Sequence, residues 1–109
     1  MGMVKTTIKA GVCGFTTVVT ADSGDSQHVT FAIETDCENV RGFSDVLPQA
    51  IDAYQEIGAG YDGEIYKAVR ANLRGCCAGC VVPCAIFKSM QVVAGLALPA
   101  PVSIEFEKQ

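Results

Sequence analysis

The sequence contains no tryptophan and only one histidine, His28, among its 109 residues. Histidine is the side chain most often used for proton transfer near neutral pH. No Ser-His-Asp set, phosphate-binding loop or paired-carboxylate motif stands out either. Six cysteines are present. Because the usual acid-base groups are scarce and thiols are plentiful, the composition favours chemistry based on sulfur.

Charged residues are also few, at 18% of the chain, and 12 acidic residues outnumber 8 basic ones. The net charge of −4 gives no counterion release to drive binding of nucleic acid or an anionic membrane, so neither partner is expected. Half of the residues are hydrophobic and the mean hydropathy is +0.30. A chain of this size and composition is expected to fold around one core, as a single domain over residues 1–109.

The N-terminus carries no apolar segment of the signal-peptide type, which favours a cytoplasmic location with reduced thiols. The most apolar window, residues 80–98, is long enough to suggest a membrane span, but it contains Pro83, Lys88 and Gln91. A lysine at the middle of a bilayer costs about 2.5–3.5 kcal/mol. We therefore interpret this window as a buried core helix with a polar edge.

Alternation of apolar and polar side chains predicts four β-strands. It runs through residues 4–10, and a run rich in Thr and Val at 15–21 precedes a second alternating run at 29–33. Turn-forming residues at 22–26 predict that the second and third strands form a hairpin. Alternation returns at 102–106, which predicts a closing C-terminal strand at an edge of the same sheet.

The intervening segment has the periodicity of helices. Thr35 and Glu38 match a capping box, which predicts a helix that begins at Thr35. Further helices are predicted to begin at Pro48, with Ala50, Ile51, Tyr54 and Ile57 inward, at Asp62 and at Pro83. Three strands, three to four helices and one last strand predict an α+β fold, in which the helices cover one face of a mainly antiparallel sheet.

Each cysteine lies beside a predicted turn or helix start. Cys13 lies between two glycines after the first strand, and Cys37 falls in the first turn of the first helix. A thiol in that first turn is close to unpaired N–H groups and to the positive end of the helix dipole, both of which favour thiolate. The remaining four are Cys76, Cys77, Cys80 and Cys84, in the segment that joins the last two helices.

Cys77 and Cys80 form a Cys-x-x-Cys pair, a spacing that suits either a metal site or a redox-active dithiol. Cys13 and Cys37 would complete a set of four ligands if the fold brings all of them to one end of the sheet. Thiolates select zinc, copper(I) or iron-sulfur clusters. Cys84 is expected to pack against its own helix start, and a role for Cys76 stays open.

Three functions agree with this pattern. The leading hypothesis is a scaffold-type protein that binds an iron-sulfur cluster or zinc through Cys13, Cys37, Cys77 and Cys80. The second is a thiol-redox or sulfur-transfer enzyme, in which Cys77 attacks or carries sulfur and Cys80 resolves the intermediate. The third is a structural or oligomerisation domain without metal. The expected partners are a metal ion or cluster, a protein that exchanges metal or sulfur with it, and a second copy of the chain.

Most of the chain resembles a short, uncharacterised cysteine-motif family of anaerobic archaea and bacteria. The stretches that carry this resemblance are residues 10–15, 35–38, 80–83, 85–86 with Lys88, and 95–99. That family has no assigned activity. The resemblance therefore implies a folded unit in which the cysteines matter, without implying a reaction.

A looser similarity connects the layout with the U-type iron-sulfur cluster scaffold. In that family a Cys-Gly precedes a strand hairpin, a second Cys opens the following helix, and a third precedes a late helix; Cys13-Gly14, Cys37 and residues 76–80 take these places. Phe15 replaces the Asp that the family has after Cys-Gly, and no His precedes the late Cys. This likeness of layout implies cluster binding.

Overall fold

The computed structural model describes residues 2–109. Its elements follow the order β1 (Gly2–Lys9), β2 (Thr16–Ser23), β3 (His28–Thr35), α1 (Glu38–Asp45), β4 (Ile51–Asp52), α2 (Ala53–Ala59), α3 (Glu64–Asn72) and α4 (Val82–Val93). Two short 3₁₀ turns, Gly60–Asp62 and Gly75–Gly79, precede α3 and α4. The predicted α+β class is confirmed.

The sheet has four antiparallel strands in the order β1-β2-β3-β4. Its inward face follows from the alternation in the sequence: Val19 on β2 is paired with Thr6 and Ile33, and all three side chains point to the same side. Val19 is fully buried, whereas its neighbours Val18 and Thr20 are only partly buried. One face of the sheet is thus covered, as the alternation predicts.

Helix α4 covers the inward face of β1 and β2, α1 packs against β3, and α3 packs between α1 and α4. Its Ile86 and Met90 are fully buried, four residues apart on one stripe. The buried Ser89 donates to the Ala85 carbonyl at 2.7 Å, so the Thr6 hydroxyl, also 2.7 Å away, donates to Ser89. This bond fixes α4 against the middle of the edge strand β1.

One helical run, Gly75–Val93, is long and apolar enough by composition to cross a membrane. Its α-helical part is α4, whose apolar stripe is buried against the sheet. Core helices of folded proteins meet the same criteria of length and composition.

The predicted closing strand at residues 102–106 does not form, which corrects the interpretation of the sequence. Residues 98–109 have no strand structure, and the fourth strand is instead the two-residue β4, which pairs with His28 and Val29 of β3. Val102, Ile104 and Phe106 keep the alternation of a strand but are 63%, 61% and 93% exposed. Alternation shows that a segment suits an edge strand, but pairing also needs an edge within its reach.

Two predicted helix starts are also corrected. Thr35 stays in β3, where its hydroxyl contacts that of Thr17 at 2.9 Å, and the helix begins at Glu38 with Cys37 as N-cap. The segment from Pro48 forms β4 first, so α2 begins only at Ala53. Asp52 caps α2 by accepting from the N–H groups of Tyr54 and Gln55. Of the side chains predicted to point inward in this segment, Ala50, Tyr54 and Ile57 are exposed and Ile51 is buried.

Helix α3 is capped by a residue of another helix. The predicted cap, Asp62, lies in the 3₁₀ turn, and the buried carboxylate of Glu56 on α2 accepts from the N–H groups of Glu64 at 3.0 Å and Ile65 at 2.8 Å. Gly63 leaves room for this carboxylate, because a Cβ there would lie 2.5 Å from Glu56 Oε2. A negative charge at this place also satisfies the positive end of the α3 dipole.

Candidate thiol site

Cys13 and Cys37 lie at the same end of the sheet. Cys13 is in the turn between β1 and β2, and Cys37 directly follows β3. The register pairs Lys9 with Thr16 and Thr17 with Thr35, so the β1-β2 turn and the end of β3 leave the sheet together. The antiparallel hairpins thus place two cysteines that are 24 positions apart in the sequence at one edge of the fold.

The turn that carries Cys13 is tight. Ala10 donates to the Phe15 carbonyl at 3.2 Å, and Gly14 donates to the Gly11 carbonyl at 2.9 Å. Gly11 and Gly14 have φ values of 89° and 76°, which L side chains rarely adopt. Cys13 is exposed at the tip between them. The glycines therefore present this thiol to solvent at the end of the sheet.

Cys37 is the N-cap of α1 and is half-buried. Its N–H donates to the Thr35 hydroxyl at 3.1 Å, and its carbonyl accepts from Arg41 N–H at 2.9 Å. Its side chain makes no capping hydrogen bond. The backbone of Cys37 is thus fixed on both sides while the sulfur stays available.

We call residues 75–80 the cysteine loop. Cys77 donates its N–H to the Arg74 carbonyl and Cys80 donates to the Cys77 carbonyl, both at 3.1 Å. Both thiols are half-buried against the edge of the core. Asn39 of α1 donates its side-chain N–H to Cys77 Sγ at 3.3 Å. This bond holds the cysteine loop against the start of α1, next to Cys37.

Cys80 is electrostatically coupled to the other three predicted site cysteines. Burial is the main cause that raises the pKa of its thiol, and the N–H of Val82, which donates to the sulfur, acts in the opposite direction. Negative charge on Cys13, Cys37 or Cys77 raises the pKa of Cys80 further. The contribution of these three cysteines is smaller than that of burial, and it agrees with the register of the sheet and the Asn39 contact, which place the segments that carry them toward one end of the sheet.

The thiols are free and are not in coordinating positions. Within residues 2–109, no three side chains of Cys, His, Asp or Glu are arranged as a metal site. All six cysteines are unpaired. A shared site for one ion or cluster therefore stays a prediction.

Cys76 and Cys84 are the two cysteines outside the predicted ligand set. Both are exposed, which corrects the expectation that Cys84 packs at its helix start. Cys84 instead lines an open groove with Tyr61, Tyr66 and Phe87. Burial, followed by the charge of Cys84, raises the pKa of Tyr66, so Cys84 is near this tyrosine. The sequence offered no signal for this groove.

Two groups at the site were not predicted. Asn39 lies two residues after Cys37 and donates to Cys77, and the N–H of Val82 donates to Cys80. Both donors stabilise negative charge on sulfur. An exposed polar residue in a helix is too common for Asn39 to be recognised from sequence, and a backbone N–H has no sequence signature.

The single histidine lies at the opposite end of the sheet. His28 begins β3 and is exposed, as predicted; its Nδ1 is 2.7 Å from Asp25 Oδ2, and its Nε2 is 3.9 Å from Asp52 Oδ2. The hydrogen bond to Asp25 is the main cause that raises the pKa of His28 above 6.5, and the same bond lowers the pKa of Asp25 below 3.8. His28 therefore plays no part at the thiol end.

We expect the Asp25→Asn variant to return the pKa of His28 toward 6.5, and Asp52→Asn to have a smaller effect, because Asp52 is the weakest of the influences on His28. An NMR titration of the imidazole measures both shifts. Because folding raises this pKa, the stabilising contribution is complete below pH 6.5 and is lost as the pH rises through the folded-state value. Equal His28 pKa values in wild type and Asp25→Asn would contradict the assignment.

The fold and the site define a small α+β protein with a thiol cluster at one end of its sheet. A family model of unknown function, DUF6951, matches residues 4–106. The chain therefore belongs to the DUF6951 family. No curated protein and no solved structure matches the chain significantly.

Proposed function

We propose that the protein binds a soft metal ion or an iron-sulfur cluster through the thiolates of Cys13, Cys37, Cys77 and Cys80. The observation that carries this proposal is that three separate segments, the β1-β2 turn, the start of α1 and the cysteine loop, bring four free thiols to one end of the sheet. Four thiolates are the ligand set of structural zinc sites and of most iron-sulfur clusters.

The surroundings of the sulfurs support ligation. Asn39 and the N–H of Val82 donate to Cys77 and Cys80, and hydrogen bonds to sulfur stabilise metal-bound thiolates and tune clusters. A cluster role also agrees with the likeness of layout to U-type scaffolds and with the resemblance to a cysteine-motif family of anaerobes. A metal or sulfur donor protein would then be the partner.

A redox or sulfur-transfer role for Cys77 and Cys80 is the second candidate, because the two thiols are free and lie three residues apart. A catalytic dithiol needs an exposed thiol with a lowered pKa. Cys80 is half-buried and its pKa is raised. Burial of Cys80 therefore suits the resolving position of such a pair, with Cys77 as the attacking thiol, and metal-dependent labelling separates this role from ligation.

The test is thiol protection on protein purified without oxygen and stripped by chelator. We expect added Zn²⁺ to slow iodoacetamide labelling of Cys13, Cys37, Cys77 and Cys80 together, and chelator to restore it. Cys84 is the internal control, because it is exposed and near Tyr66, and its labelling should not change. Tandem mass spectrometry of the peptides assigns each site, and elemental analysis with an absorption spectrum identifies the resident metal.

Two outcomes would contradict the proposal. If one thiol of the Cys77-Cys80 pair reacts far faster than the rest and Zn²⁺ does not change its rate, the redox role is favoured. If neither Zn²⁺ nor iron with sulfide changes the labelling of any cysteine, the result favours a structural or oligomerisation domain without metal.

A further inference from the structure

The C-terminal tail, which we define as residues 98–109, is unpartnered in the single chain. Val102, Ile104 and Phe106 are mostly exposed, and Leu98 is 86% exposed. In the described part of the chain, the only backbone hydrogen bond within the tail is local, from Ala100 to Leu98. An apolar segment with strand periodicity is thus left in solvent, which monomeric proteins normally avoid.

An open edge strand offers a place for this segment. β1 has eight residues and pairs only with β2, so one side of its backbone has no partner in the sheet. Edge strands of this length commonly accept another strand unless they are protected. No Pro lies within β1, and it carries Val4 and Ile8 on its inward face. The edge is therefore able to continue both the backbone hydrogen bonds and the apolar face.

Charge on the two segments is complementary. Lys5 and Lys9 point to the exposed face of β1, whereas Glu105 and Glu107 alternate with the apolar residues of the tail. If the apolar residues of the tail continue the face of Val4 and Ile8, these glutamates fall on the face that carries the lysines. Opposite charges on neighbouring strands stabilise pairing.

The start of the tail ends the helical region. Gly95, with a φ of 75°, follows α4, and Pro99 and Pro101 do not allow the helix to continue. A short non-helical connection before an exposed strand-like segment is an arrangement that allows identical elements to be exchanged between copies.

We propose that two copies of this chain form a dimer in which the tail of each adds as a strand to the free edge of β1 in the other. The interface is the same on both sides, so the assembly closes at two copies. This proposal is independent of the thiol site.

Equilibrium sedimentation of the full-length reduced chain tests it. We expect a dimer for the wild type and a dissociation constant raised by about 100-fold or more in Ile104→Asp, because a carboxylate replaces an apolar side chain of the interface. Ser103→Asp is the matched control: it puts the same charge on the opposite face of the tail and should change the constant far less. Neither residue is buried in the single chain, so neither variant should affect folding.

Reversing the charges on β1 and on the tail distinguishes pairing between two copies from docking of the tail on its own chain. Two double variants are compared, Lys5→Glu/Lys9→Glu and Glu105→Lys/Glu107→Lys. Each alone should dimerise weakly at low salt, because its β1 and its tail carry the same charge, and an equal mixture of the two should form the heterodimer. Both of its interfaces then pair opposite charges. A monomeric wild type, a dimer insensitive to Ile104→Asp, or a mixture without heterodimer would overturn the proposal. Protection of residues 101–107 from hydrogen exchange in a monomer would show that the tail docks on its own β1.

Discussion

Cys80→Ser is expected to lower metal affinity more than any other single substitution in this protein. Cys80 is half-buried at the edge of the core, and burial, with a smaller contribution from Cys13, Cys37 and Cys77, raises its pKa. Serine keeps the size of the side chain but replaces a soft sulfur with a hard oxygen. Loss of an outer hydrogen-bond partner typically costs 10–100-fold in metal affinity, so loss of a ligand should cost at least about 100-fold.

The same experiment compares six variants. Cys13→Ser, Cys37→Ser and Cys77→Ser should follow Cys80→Ser, whereas the exposed Cys84→Ser should keep the wild-type affinity. Asn39→Ala should have an intermediate effect of about 10-fold, because it removes only the hydrogen bond to Cys77. Competition with a chromophoric chelator measures all of them. Equal affinities of Cys80→Ser and Cys84→Ser would exclude the ligand assignment.

Glu56→Ala is expected to give the largest loss of stability outside the apolar core, about 2–4 kcal/mol in the free energy of unfolding. The substitution leaves the N–H groups of Glu64 and Ile65 without their acceptor at the start of α3, next to the fully buried Ile65 side chain. Glu56→Gln keeps one acceptor oxygen and should lose about half as much. Urea unfolding gives these values from midpoints at an unchanged slope.

Two glycine substitutions provide a matched pair for this contact. Gly63→Ala places a Cβ 2.5 Å from Glu56 Oε2 and should displace the carboxylate, whereas a Cβ at Gly58, within α2, meets nothing within 4 Å. Gly58→Ala should be neutral or stabilising by up to about 1 kcal/mol, since alanine favours helix. If both variants unfold at the same urea concentration, Glu56 does not need the space at Gly63.

The cysteine interpretation shows how far local patterns reach. The Cys-x-x-Cys spacing predicted Cys77 and Cys80 as a pair, and Cys13 and Cys37 were predicted to join it because one lies in a glycine turn and the other at a helix start. The register of β1, β2 and β3 decides that Cys13 and Cys37 leave the sheet at one end. The Asn39 contact then decides where the cysteine loop lies. Neither the pairing of distant strands nor a single side-chain hydrogen bond has a signature in a local window.

The sequence by itself determined the α+β class, the first three strands and the buried stripe of α4, and it supplied the thiol set as a prediction. Each of these depends on the period of hydrophobic side chains or on residue chemistry, which are properties of short segments. Only the tertiary structure decided that Glu56 rather than Asp62 caps α3, that residues 51–52 rather than 102–106 complete the sheet, and that Cys84 lines a groove beside Tyr66. These outcomes depend on which distant groups come within reach, because a backbone N–H donates to whichever acceptor the fold brings to it and a strand forms only where an open edge meets it.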